Sequence, residues 1–170
     1  NGGTKGTKFN GELIQNNIMI KVALVDDNHD LREGLQIVMK EHPTEFECIG
    51  SFSDAESAAK KIPEIKPDVV LMDITMPGLN GLDAAARMAK EFPDVRVIIL
   101  SMHNNEEYYW RALKAGAAGY LLKKAATTEL ETALQRVVCG EIYLSQEISA
   151  RLVKKFPLQG IADRKSPLEQ

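Results

Sequence analysis

Cysteine is scarce: Cys48 and Cys139 are the only two among 170 residues, and they lie far apart without the close spacing of metal ligands. That argues against a disulfide scaffold or a structural zinc site, and both are expected to be buried thiols in a reducing cytoplasm. No apolar run approaches the ~20 residues that span a bilayer, and no signal peptide opens the chain. The expectation is a cytoplasmic protein with no membrane partner. Runs of Lys or Arg are also missing, and the formal net charge of −3 creates no field that would attract a nucleic-acid backbone. The chain by itself is therefore not expected to bind DNA.

A hydrophobic content of 44% suffices for one full core and a small appendage. Residues 1–18 are rich in Gly, Asn, Thr and Lys and read as a leader or vector-derived segment, with Met19 as the natural start. Beyond it, short apolar runs at residues 20–25, 46–52, 69–72, 95–100 and 119–122 are each followed by a segment of helical spacing. Leu31, Leu35, Val38 and Met39 recur at three- and four-residue steps, as do Leu130, Ala133, Leu134, Val137 and Val138. Asn28, Ser53 and Thr127 or Thr128 are candidate helix caps, while Gly116 and Gly140 stand where left-handed terminators belong. Repeated βα units predict an α/β fold with five parallel strands and five helices on both faces of the sheet.

The strand ends carry the chemistry. The first apolar run ends in Asp26 and Asp27, the third in Asp73, the fourth in Ser101 and the fifth in Lys123. Parallel strands deliver all of these to one sheet edge, where open α/β folds bind ligands. Taken singly, each has an ordinary explanation as a helix cap, a turn residue or a solvated lysine. Together, three carboxylates at one edge repel one another unless a cation offsets them. Oxygen donors without His or Cys suit Mg²⁺, or Mn²⁺ in its place, better than Zn²⁺. A divalent ion beside a carboxylate and a lysine fits phosphoryl transfer, with the carboxylate itself as nucleophile. Asp73 is assigned as acceptor because the turn Met76-Pro77-Gly78 after it would leave its side chain open, and Asp26 and Asp27 as the metal-holding pair.

The segments Val25-Asp26-Asp27, Leu71-Met72-Asp73-Ile74-Thr75-Met76-Pro77-Gly78, Leu100-Ser101 and Gly119-Tyr120-Leu121-Leu122-Lys123 resemble the signature of response-regulator receiver domains of bacterial two-component systems. Residues 112–120 and 140–144 further resemble the subfamily with a LuxR-type helix-turn-helix output domain (NarL/FixJ). The resemblance implies a flavodoxin-like (βα)₅ fold of strand order 2-1-3-4-5, and a phosphoryl group taken from a histidine kinase and lost slowly, in a signalling acceptor rather than an enzyme. It implies Asp73 as acceptor, with Mg²⁺ held by Asp27, Asp73 and the backbone carbonyl of Thr75, and with Asp26 acting through water. Ser101 and Lys123 would meet phosphoryl oxygens, and Tyr120 would change rotamer as Ser101 moves. The side chain of Thr75 would influence how long the phosphoryl group survives.

The remaining expectations concern the flanks. Of Tyr108, Tyr109 and Trp110, at most one or two can enter the core, and an exposed one could mark a partner surface. His103 reads as a loop residue beside the pocket. The domain division is a leader at 1–18, a receiver domain at 19–140, and a C-terminal helix and linker at 141–170, with helical spacing at Ile148, Leu152 and Val153. The linker would lead toward an absent DNA-binding domain, the only route to DNA. Dimerisation on phosphorylation stays open between the fourth and fifth helices and another face. A haloacid-dehalogenase-like phosphohydrolase also fits Asp73-Ile74-Thr75, but its later acidic pair follows the lysine, whereas Asp26 and Asp27 precede everything. A flavin or nucleotide module would need a glycine-rich loop after the first strand, where Asp-Asp-Asn-His-Asp stands instead.

Overall fold

The computed structural model describes residues 6–9, 12–15, 19–75 and 81–155, so the turn at 76–78 and the segment 156–170 lie outside the described residues. Within the segment expected to be a leader, β1 (Gly6–Phe9) pairs antiparallel with β2 (Glu12–Gln15). The main sheet follows as β3 (Ile20–Val25), β4 (Phe46–Phe52), β5 (Val69–Asp73), β6 (Arg96–Ser101), β7 (Gly119–Leu122) and β8 (Tyr143–Leu144). Between and after these strands run α1 (His29–Lys40), α2 (Ala55–Ile65), α3 (Gly81–Glu91), α4 (Glu106–Lys114), α5 (Ala126–Val138) and α6 (Gln146–Lys155). The order across the sheet is β4-β3-β5-β6-β7-β8, and every pair is parallel. This is the expected flavodoxin-like order with one strand added at the edge. No helix among the described residues is long and apolar enough to cross a membrane.

Alternation along the strands sends their side chains into two cores. Val22, Leu24, Leu71, Ile98, Leu100 and Leu121 pack against Leu35 and Met39 of α1 and Leu130, Leu134 and Val137 of α5. The opposite residues Ala23, Val25, Val70, Met72, Val97 and Ile99 meet Ile62 of α2, Met88 of α3 and Tyr109 of α4, with Ile148 of α6 in the same cluster. Each fully buried side chain of this size contributes roughly 1.5–3 kcal/mol relative to exposure. Both faces being covered explains why β5 reads as an uninterrupted apolar run.

The helix ends correct two details. Asn28 caps α1 by accepting from the Leu31 amide at 3.1 Å, but α2 is capped by Asp54 rather than Ser53, through the Ser57 amide at 2.7 Å. Neither Thr127 nor Thr128 caps α5, because a 3₁₀ turn (Lys123–Ala125) runs straight into it and places both threonines inside the helix. Gly116 and Gly140 have φ of 99° and 91°, the left-handed terminators expected of them. The cysteines are less buried than expected: Cys48 is half-buried, and Cys139 is exposed where α5 ends.

The sixth strand was not anticipated, since two residues carry no periodicity. It forms because the Gly140 turn brings Tyr143 back beside β7, where its amide donates to the Ala118 carbonyl at 3.1 Å and the Ser145 amide donates to Tyr120 at 3.0 Å. The buried Tyr143 hydroxyl donates to Glu129 Oε1 at 2.5 Å, and the Gln146 amide donates to the same oxygen at 2.9 Å. Burial, reinforced by the Glu129 carboxylate, holds the Tyr143 phenol well above the usual tyrosine range, so it stays a donor at neutral pH. Replacing Tyr143 by Phe is expected to cost about 1–3 kcal/mol by urea unfolding, because a buried carboxylate loses a donor. A loss below ~0.3 kcal/mol would show that this contact does not hold the added strand.

Candidate functional site

Five polar residues arrive at the carboxyl edge of the sheet because parallel strands end there together. Asp26 and Asp27 follow β3, Asp73 and Ser101 are the last residues of β5 and β6, and Lys123 follows β7. Asp26, Asp73 and Ser101 are buried although all three are polar, whereas Asp27 is exposed. The carboxylates of Asp26, Asp27 and Asp73 present oxygens within 4.8 Å of one another.

The ammonium of Lys123 enters this cluster, 3.1 Å from Asp26 Oδ2 and 3.0 Å from Asp73 Oδ2. Those two oxygens are buried and take no aligned hydrogen bond, so the ammonium is their electrostatic partner. Their companions are fixed locally. Asp26 Oδ1 accepts from the Asn28 amide at 2.8 Å, and Asp73 Oδ1 accepts from the Thr75 amide at 2.9 Å and the Thr75 hydroxyl at 2.8 Å. Burial pushes the Asp26 carboxyl above its ordinary range, aided by the charge of Asp73 and opposed by the Asn28 amide and Lys123. For Lys123, burial pulls downward, but the close carboxylates of Asp73 and Asp26 outweigh it and raise the ammonium above the usual lysine range. One ammonium against three carboxylates leaves two negative charges in the cluster, and the donors are all oxygens. That donor set, with its uncompensated negative charge, fits a hard divalent cation.

Around the cluster, Ser101 Oγ accepts from the His103 amide at 3.0 Å, and the buried Tyr120 hydroxyl donates to the His103 carbonyl at 2.6 Å. The His103 ring stacks on Tyr108 with centroids 4.1 Å apart, so this histidine lies in the loop beside the pocket, as expected. Of the three aromatics, Tyr109 enters the core, Tyr108 is half-buried and Trp110 is 46% exposed.

Asp73 departs from expectation in one respect: its side chain is fully buried rather than open. Sequence reading also missed Arg32, whose guanidinium donates to the Asp26 carbonyl and to Ser51 Oγ, the latter at 2.9 Å. An arginine on a helix looks like solvated surface, and nothing in its spacing signals this reach. A second group, His42, Glu45 and Glu131, gathers at the C-terminal end of α1. It is half-exposed, and its 3.2 Å contact between His42 and Glu131 is accounted for as a surface ion pair.

Comparison with known proteins agrees with this geometry. The response regulator receiver domain family matches residues 22–135. The chain is 36% identical over 137 residues to the transcriptional regulatory protein DegU of Brevibacillus brevis, covering 81% of this chain and 58% of that protein. It is 36% identical over 138 residues to the oxygen regulatory protein NreC of Staphylococcus aureus (strain JH9), covering 81% and 63%. The chain thus spans about three fifths of the length of these curated relatives. Among solved structures, a LuxR-family two-component response regulator from Aurantimonas sp. SI85-9A1 superposes with a TM-score of 0.74 at 28% identity, covering 81% of this chain and 98% of that one. Fold, acidic cluster and sequence agree that the chain belongs to the response regulator receiver domain family, in its LuxR-type branch.

Proposed function

We propose that this chain is a phosphorylation switch in which Asp73 takes a phosphoryl group from a histidine kinase. The observation that carries this reading is the state of Asp73: one oxygen is fixed by two donors of Thr75, and the other is buried against Lys123. In the transfer, an Asp73 oxygen attacks phosphorus while the donor's N–P bond, or the O–P bond of a small acyl phosphate, breaks. The electron pair leaves with the donor, a histidine nitrogen then taking up a proton and an acyl phosphate departing as its carboxylate, and the product is an aspartyl phosphate. The Lys123 ammonium offsets charge on one phosphoryl oxygen, and the Ser101 hydroxyl donates to another. Tyr120 follows Ser101 through the His103 segment that both hydrogen-bond.

Asp27, Asp73 and the Thr75 carbonyl, with Asp26 through water, would hold Mg²⁺ or Mn²⁺. When bound, the ion would neutralise charge at the transferring group. Because Asp73 is fully buried, the groups around it must give way before a donor reaches it, and the Thr75 side chain beside it would influence how long the product survives. The switch comprises residues 19–140, and residues 141–170 lead toward a DNA-binding domain that would carry a transcriptional output, the role named for DegU. The chain acts in the cytoplasm, with dimerisation on phosphorylation as part of the same reading.

Two experiments test this. With Mg²⁺ and acetyl phosphate or beryllium fluoride, mass spectrometry should find one adduct on Asp73, absent in Asp73→Asn. Rapid multiple turnover of phosphate esters, or an adduct that survives in Asp73→Asn, would overturn the acceptor assignment. Separately, Mg²⁺ at 100 times its Kd should stabilise the wild type by about 2.7 kcal/mol in thermal or urea unfolding. Asp26→Asn and Asp27→Asn should lose most of that gain. Without metal, Asp26→Asn should be at least as stable as wild type, since it removes a buried charge that repels Asp73. Mg²⁺ stabilisation of both variants equal to that of the wild type would refute the metal assignment.

A further inference from the structure

Ser145 and helix α6 after it hold the chain on either side of Lys123 and the loop that follows Ser101. Lys123 is bracketed along the chain. Just before it, the Leu122 amide donates to the buried Ser145 Oγ at 2.8 Å; just after it, Lys124 Nζ donates to Glu147 Oε1 at 2.5 Å. The other oxygen of Glu147 accepts from Asn104 Nδ2 at 3.1 Å, three residues beyond Ser101. One turn further along α6, Arg151 donates to the Asn104 carbonyl at 3.1 Å, and Lys155 pairs with Glu106. A single carboxylate therefore ties together the segments that carry Lys123 and Ser101. The hydrogen bonds from Lys124 and Asn104 hold the Glu147 carboxyl below its usual range, so it is charged at neutral pH. An isolated exposed ion pair would be worth ~0–1 kcal/mol and would carry no such meaning. Here the pair is one of several contacts converging on the same two segments, and Ile148 anchors the helix in the core beside them.

We propose that Glu147, with Ser145, is a positioning residue for the Asp73 pocket, holding Lys123 and the Ser101 loop in their unmodified arrangement so that α6 docking and phosphorylation oppose one another. This rests on the acceptor reading of Asp73. A phosphoryl group there draws the Lys123 ammonium away from Asp26 and the Ser101 hydroxyl toward a phosphoryl oxygen. Both movements pull on residues that α6 holds, and the grip of Ser145 and Glu147 weakens. Linkage requires the converse, so releasing α6 must favour the modified pocket by the same factor.

The test uses the full chain as wild type, Glu147→Gln, Lys124→Gln, the double variant and Val153→Ala, which alters an exposed α6 residue that faces none of these groups. Beryllium fluoride with Mg²⁺ is titrated by calorimetry, and amide exchange is followed over residues 146–155. In wild type, beryllium fluoride should accelerate exchange in that segment. Glu147→Gln and Lys124→Gln should each bind beryllium fluoride about 5-fold more tightly, or better. The double variant should gain less than the two effects combined, because both act through one contact, and Val153→Ala should bind as wild type. Affinity in Glu147→Gln equal to or below wild type, or exchange over 146–155 unchanged at saturation, overturns the proposal. If beryllium fluoride forms its adduct normally and α6 does not respond, the coupling alone fails. If wild type forms no adduct, the acceptor reading and the coupling fall together.

Discussion

Everything at the carboxyl edge depends on one ammonium group placed between two buried carboxylates. Without Lys123, Asp26 and Asp73 would sit side by side in low dielectric with no ammonium to offset their mutual repulsion. With it, both acids are held facing one another, and the pocket keeps a negative balance that a hard cation would relieve. The sheet is what makes this placement reliable. Lys123 begins a 3₁₀ turn immediately after β7, so its backbone is set by strand pairing on one side and by the start of α5 on the other.

Most of the fold could be read from apolar spacing, because strands covered on both faces become short unbroken runs that stand out between helical segments. The polar cluster was equally legible: Asp26, Asp27, Asp73, Ser101 and Lys123 each end such a run, and parallel topology alone brings them to one edge. What could not be read depended on contacts distant in sequence or on too few residues. β8 has two residues and no pattern. The cap of α2 fell on Asp54 instead of Ser53, a one-residue choice that local composition does not decide. Arg32 and Glu147 look like ordinary surface charges until the fold brings Asp26 and Asn104 to them. The burial of Asp73 escaped notice for a similar reason, since a turn beside a residue does not reveal how deeply its side chain is enclosed.

Residues 141–155 are joined to the receiver domain more closely than a tether would be. Its strand closes the β7 edge, its tyrosine satisfies a buried glutamate on α5, and its helix contributes Ile148 to the core. Under the proposed coupling, such an attachment would turn a change in the pocket into a change in how α6 is held.

The division of the core between two faces has an evolutionary consequence. The layer against α1 and α5 is mostly aliphatic, with Phe46 and Tyr143 from the two edge strands, and Tyr143 is its one described member beyond α5. The opposite layer contains Tyr109, Tyr120 and Ile148, so its packing is shared with the responsive parts of the molecule. Under the proposed switch reading, drift in the first layer would answer mainly to foldability, whereas drift in the second would also bear on the balance between signalling states. Paralogues diverging from a common ancestor could retune their set point through one wall of the protein while leaving its structural keel untouched.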